Sequence, residues 1–156
     1  MDSPVTTFVH IEVVHPDPDQ AAAFLRDVLG AVEVEKAISG YAETLAPGLR
    51  CIHLKLGNVV FQYIKPVPGL ESWREHLDAH GPSIHNVTVF VKDVEEMRES
   101  MLAHGGKEAA VLPVDLSVVL PDAGPQTAYV FDCLEQTGLR FEFVEPIPGL
   151  NPGELP

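Results

Sequence analysis

The chain has 156 residues, 46% of them apolar and 21% charged, enough for one domain with its own core. Ten Lys plus Arg against 23 Asp plus Glu give a formal net charge of -13, a surface that repels phosphate backbones and argues against nucleic acid as a partner. Two cysteines, Cys51 and Cys133, are too few for a secreted disulfide scaffold, and no run approaches the ~18 consecutive apolar residues of a membrane span.

The opening stretch MDSPVTTFVHIEVV has neither a basic start nor a long apolar run, so no signal peptide is expected and the chain reads as soluble and cytoplasmic. Alternation predicts a first strand over Phe8–Val14. Asp17, followed by Pro18 and by Gln20 three positions on, predicts a capped helix start. Ala21, Phe24, Leu25, Val28 and Leu29 follow at helical spacing, and Gly30 ends the run. A weakly signalled strand, Val32–Ala37, comes next. Two clear strands, Arg50–Leu56 and Val59–Lys65, are joined through Gly57-Asn58 in a hairpin connection. The Pro- and Gly-rich stretch 66–83 links the halves, with a short helix at Glu71–His80 from which Trp73 and Leu77 pack down. Asn86–Val91 predicts another strand. A helix capped by Asp93 with Glu96 follows, burying Val94, Met97, Met101 and Leu102 and stopped by Gly105-Gly106. Strands at Ala109–Leu112, Ala128–Phe131 and Leu139–Glu145 complete the second half.

The halves repeat one another. VVFQYIKPVPGL at 59–70 returns as LRFEFVEPIPGL at 139–150, an offset of 80, and HIEVVHPD at 10–17 lies over NVTVFVKD at 86–93, an offset of 76. The difference of four implies a small insertion around Leu112–Pro125. Each half reads as β-α-β-β-β. The fold class is therefore α+β, one domain over 1–150, with a first module at about 8–66, a linker at 67–83, a second module at about 84–146 and a loose tail at 151–156.

Strand alternation sorts the side chains. Val9, Ile11 and Val13, Ile52, Leu54 and Leu56, Phe61 and Tyr63, Val87, Val89 and Val91, and Phe141 and Phe143 form apolar faces suited to packing under helices. The opposite faces carry His10, Glu12, His53, Lys55, Gln62, Asn86, Thr88, Arg140 and Glu142. A solvated face of an antiparallel sheet has the same mixed character. Against that stands the repeat: His10 and Asn86 are equivalent positions, as are Gln62 and Glu142. Cys51 reads as packing, His15, His76, His80 and His104 as solvated loop or helix-end residues, and Tyr41 and Trp73 as covering either a ligand or the core.

The segments HIEVV, AAAFLRDVLGA, FQYIKP, SIHNVTVFVKDV and RFEFVEP together resemble the vicinal-oxygen-chelate superfamily, which includes glyoxalase I, methylmalonyl-CoA epimerase, extradiol dioxygenases and the fosfomycin and bleomycin resistance proteins. The resemblance runs from about Phe8 to Pro146. It implies paired βαβββ modules whose curved mixed sheets enclose a cavity, with helices on the outer faces. It also implies metal ligands on the first and last strands of each module. Carried over by position, His10, Gln62 and Glu142 fall on three ligand positions, a pattern similar to the epimerase-like members. The fourth position, usually a second His, holds Asn86, while His85 is shifted by one and is expected on the opposite face.

Three outcomes stay open at this point. A divalent ion binds through His10, Gln62, Asn86 and Glu142; a bulge brings His85 into the site; or the polar cluster acts on substrate without metal. No organic cofactor is implied. An extradiol dioxygenase needs two His and one carboxylate around iron, and only His10 and Glu142 are placed for that. The expected activity is an isomerase, epimerase or lyase acting on a small carbonyl-containing substrate by metal-assisted proton transfer. Glu142, Glu12 and His53 are the catalytic candidates. The alternatives are a metal-free acid–base enzyme and a protein that sequesters a small molecule. Glu12 could instead pair with Lys55 or Arg140 across the sheet, and His53 could be a satisfied core histidine. Two modules in one chain allow a monomer, but dimers are common in the family and a homodimer is the expectation.

Overall fold

The computed structural model describes residues 2–156. The elements are β1 (Val5–Val14), α1 (Pro18–Leu29), β2 (Val32–Val34), α2 (Lys36–Glu43), β3 (Arg50–Leu56), β4 (Val59–Lys65), α3 (Glu71–His80), β5 (Ser83–Val91), α4 (Val94–Ala103), β6 (Lys107–Val114), β7 (Gln126–Cys133), α5 (Leu134–Thr137) and β8 (Leu139–Val144). The fold is α+β with two βαβββ modules. Among the described residues no helix is long and apolar enough to cross a membrane.

The chain divides into two compact units. One comprises His10–His85 with Asn151–Pro156; the other comprises the residues up to Val9 with Asn86–Leu150. The divisions fall inside β1 and β5, and α3 lies in the first unit. In that unit the strands run in the order β2-β3-β4-β1, with β1 parallel to β4 and the other pairs antiparallel. In the other unit the order is β6-β7-β8-β5, with β5 parallel to β8 and the rest antiparallel.

The sequence repeat reappears as strand register. Ile11 pairs with Phe61, Glu12 with Gln62 and Val13 with Tyr63. Val87 pairs with Phe141, Thr88 with Glu142 and Val89 with Phe143. The caps repeat too: Asp17 accepts from the Gln20 amide at 3.1 Å and Asp93 from the Glu96 amide at 2.9 Å. Both Pro-x-Pro-Gly-Leu segments turn alike, with Leu70 N–H donating to Val67 O and Leu150 N–H to Ile147 O, each at 3.0 Å.

Helix burial departs from the periodicity. On α1 the buried positions are Pro18 and Ala22, while Phe24, Val28 and Leu29 are exposed. Two apolar stripes overlap on this helix. The one containing small Ala22 allows the closer approach to Ile52, Leu54 and Tyr63, so it faces the sheet. On α4, Val94, Met97 and Met101 pack on Phe131, Phe143 and Tyr129, but Leu102 is exposed. The stretch read as a strand to Ala37 leaves the sheet after Val34, and α2 begins at Lys36.

The segment 151–156, expected to be loose, docks in the first unit. Gly153 N–H donates to Glu35 Oε1 at 2.8 Å, Glu35 N–H to Leu155 O at 2.9 Å, Lys36 N–H to Pro156 O at 3.0 Å, and Lys55 Nζ to Gly153 O at 3.3 Å.

Candidate active site

In the first unit, His10 and Glu12 lie on one face of β1, two residues apart. Gln62 on β4 is the register partner of both Glu12 and His53, so all four side chains share that face. His10, Glu12 and His53 are buried. The His10 and His53 rings meet edge to face with centroids 5.6 Å apart. His53 is braced on both nitrogens: Ser39 Oγ lies 2.6 Å from Nδ1, and the Gln62 amide nitrogen lies 3.1 Å from Nε2. Both ring nitrogens thus have a polar partner, one donating and the other accepting in the neutral ring. Glu35 Oε2 stands 3.7 Å from the same Nε2. Burial holds His53 down at about 4 and raises the Glu35 carboxyl.

His10 differs in one respect. Its buried Nδ1 finds no hydrogen-bond partner among the described residues. Burial, with His53 adding to it, lowers the ring to about 3, so it is neutral and keeps a lone pair. Around Glu12, Trp73 Nε1 donates to Oε1, and His85 Nδ1 is 4.0 Å from that oxygen. Trp73 stacks on His85 at 4.6 Å, and Ser72 Oγ lies 2.9 Å from His85 Nε2. His76, read as solvated, faces His85 edge-on at 5.6 Å and lies 2.8 Å from Ser83 Oγ. The β5 burial pattern, with Asn86, Thr88 and Phe90 buried in alternation, breaks at His85, which is buried as well. Cys51 is buried and its thiol is pushed up to about 12, mainly by that burial, in keeping with packing rather than nucleophilic chemistry.

In the other unit, Glu142 is the register partner of Thr88 and of Val130. It therefore shares a face with Thr88 and Asn86, and Thr88 Oγ1 donates to Asn86 Oδ1 at 3.1 Å. The side chain is half-buried, and loss of hydration raises its carboxyl from 4.5 to about 7. Where Gln62 has His53 across the strand pair, Glu142 has Val130, which cannot hydrogen-bond to it.

Among the described residues no three His, Cys, Asp or Glu side chains gather as a metal site. The ligand set carried over from the family contains only two residues of those types, His10 and Glu142. Its donor chemistry nevertheless fits a divalent ion: one neutral imidazole with an unpartnered nitrogen, two amide oxygens and one carboxylate.

Glu35 and Ser39 escaped the sequence reading because they lie where the strand pattern fades. The available signal was a lone acid followed by a helical run from Lys36. A groove of about 510 Å³ lined by Val13, His15, Phe24, Leu25 and Tyr63 opens on the helix side of β1 and β4, away from the face carrying His10 and Gln62.

A family model described as Glyoxalase/Bleomycin resistance protein/Dioxygenase superfamily matches residues 9–115. It ends before β7 and β8, and so before Glu142. No curated protein matches by sequence. Among solved structures, the methylmalonyl-CoA epimerase of Mycobacterium tuberculosis is 21% identical with a TM-score of 0.64, over 95% of this chain and 93% of that one. A variant of the Streptomyces coelicolor methylmalonyl-CoA epimerase, in complex with 2-nitronate-propionyl-CoA, is 18% identical with a TM-score of 0.63, over 95% and 99%. A hypothetical protein from Bacillus halodurans is 14% identical with a TM-score of 0.64, over 93% and 97%. At these identities the likeness is one of fold.

Proposed function

This chain belongs to the glyoxalase/bleomycin resistance protein/dioxygenase superfamily, and from that premise we propose that it is an isomerase or epimerase, with lyase chemistry the neighbouring outcome, moving a proton at the carbon beside a carbonyl of a small substrate. Glu142 carries the reading. Without a bound ion, a carboxyl raised to about 7 can both accept and return a proton near neutral pH; as an ion ligand Glu142 would do so only where that bond is labile. In this proposal His10, Gln62, Asn86 and Glu142 are the residues that would hold a divalent ion. When bound, the ion supplies Lewis acidity, stabilising negative charge on the substrate oxygen as the proton departs.

His10 contributes a ring kept neutral by burial, and Gln62 and Asn86 contribute uncharged amides. Glu12 and His53 are the other candidates for handling the proton. Glu12 is oriented by Trp73, and His53 is oriented by Ser39 and Gln62. The metal-free form of the same chemistry is the second reading, favoured by the same Glu142 carboxyl, whose raised pKa suits proton transfer unaided. A homodimer in a reducing, cytoplasmic compartment completes the proposal; Cys51 and Cys133 are both unpaired.

The test is proton exchange in D2O, followed by NMR, on a panel of small carbonyl compounds. CoA thioesters belong in the panel because methylmalonyl-CoA epimerases are among the similar structures. At least one compound is expected to exchange its α-proton, and Glu142→Gln is expected to slow that exchange by about 10²-fold or more. Tight binding with no exchange would point to sequestration instead. Elemental analysis of protein purified without chelators or a histidine tag separates the two enzymatic readings. Near-stoichiometric metal that drops in Glu142→Gln supports the first, and exchange undiminished by EDTA supports the second.

A further inference from the structure

Glu35 is the one non-glycine residue with positive φ among the described residues, at 54°, and it is a buried carboxylate. Both features carry a cost, so something must hold the residue there. It stands at the N-terminus of α2, where its side chain makes no capping bond to its own helix. Segment 151–156 supplies what is lacking. The carbonyls of Leu155 and Pro156 accept from the amides of Glu35 and Lys36, which the helix itself leaves without acceptors. The Gly153 amide donates to Glu35 Oε1, leaving Oε2 directed at His53.

Gly153 is itself buried at φ 77°, and a Cβ there would stand 2.9 Å from Val60 Cγ2. Close seating of this segment on β4 therefore calls for glycine. Helix α2 in turn carries Ser39, whose hydroxyl meets His53 Nδ1 at 2.6 Å. Both Ser39 and Glu35, two of the groups around the His53 ring, thus hang on one docked segment far away in sequence.

We infer that Asn151–Pro156 is a strap that positions His53, by capping α2 and gripping Glu35. Glu35 is a positioning residue acting through the His53 ring. The inference goes beyond the proposed reaction and does not depend on it, because the imidazole itself is the readout.

Hydrogen exchange on the full chain comes first. The amides of Glu35, Lys36 and Gly153 are expected to exchange at least tenfold more slowly than those of an unstructured segment; exchange at the unstructured rate would overturn the strap. Side-chain nitrogen NMR then reads His53. Full-length protein is expected to show His53 held in a single neutral tautomer. In Glu35→Ala, and on deletion of residues 151–156, protection of the α2 amides should fall at least tenfold and the His53 signals should move toward tautomer averaging. Glu35→Gln retains an acceptor for Gly153 and should restore the native signals. Unchanged His53 signals in a folded Glu35→Ala protein would sink the inference. Should the deletion variant fail to fold, the exchange and Glu35 experiments decide it alone.

Discussion

His10 and His53 are buried as neutral rings, held down to about 3 and about 4 by loss of hydration. In the unfolded chain each would take up a proton near 6.5. Below that value the unfolded state binds more protons than the folded one, so these residues favour folding above 6.5 and progressively lose that contribution as the pH falls toward 4. Each ring contributes a slope of at most about 1.4 kcal/mol per pH unit. Urea unfolding in EDTA should accordingly show a midpoint that drops on acidification below 6.5, with a shallower drop in His53→Gln. A midpoint that rises on acidification through this range would contradict neutral burial. Strand alternation placed His10, Glu12, His53, Gln62, Asn86 and Glu142 among nine polar residues of one face, and the family resemblance singled out His10, Gln62, Asn86 and Glu142 as ligand positions. Glu35 and Ser39 were hidden, because their importance comes from facing His53 rather than from any local pattern.

At the scale of elements, the capping residues show how directly local chemistry can be read. Asp17 and Asp93 each satisfy an otherwise orphaned amide in the first turn of α1 and α4. Asp17→Ala and Asp93→Ala should each lower the free energy of unfolding by about 1 kcal/mol, measured by denaturant titration. A loss well under that in both would mean that water replaces the caps at little cost. The hairpin was equally legible: Gly57, at φ 62°, turns β3 into β4 through Gly57-Asn58. The outward-facing stripe of α1 was not legible. Phe24 and Val28 fit a buried helical face by periodicity, and only the neighbours available to Ala22 decide which stripe is covered.

Across the whole molecule, a net charge of -13 makes self-repulsion a standing cost to compactness. Local ion pairs such as Arg50 with Asp19 and Glu43 work against it. Screening weakens both, but repulsion summed over the surface extends further than a few contacts. Thermal unfolding should therefore move to higher temperature as NaCl is raised from low ionic strength to about 0.3 M; a fall would show that the ion pairs dominate. The two βαβββ modules, their internal repeat and the polar face carrying His10 and Gln62 were legible before folding. Those features follow from strand alternation, helix caps and an internal repeat, all of which act over a few residues or recur at a fixed offset. The donation from Trp73 to Glu12, and the reach of Gly153 to Glu35 across 118 positions, exist only once the chain is packed. The last contact is a backbone amide meeting a carboxylate. Any non-proline residue presents the same amide, so side-chain pattern cannot announce the pairing before the chain is folded.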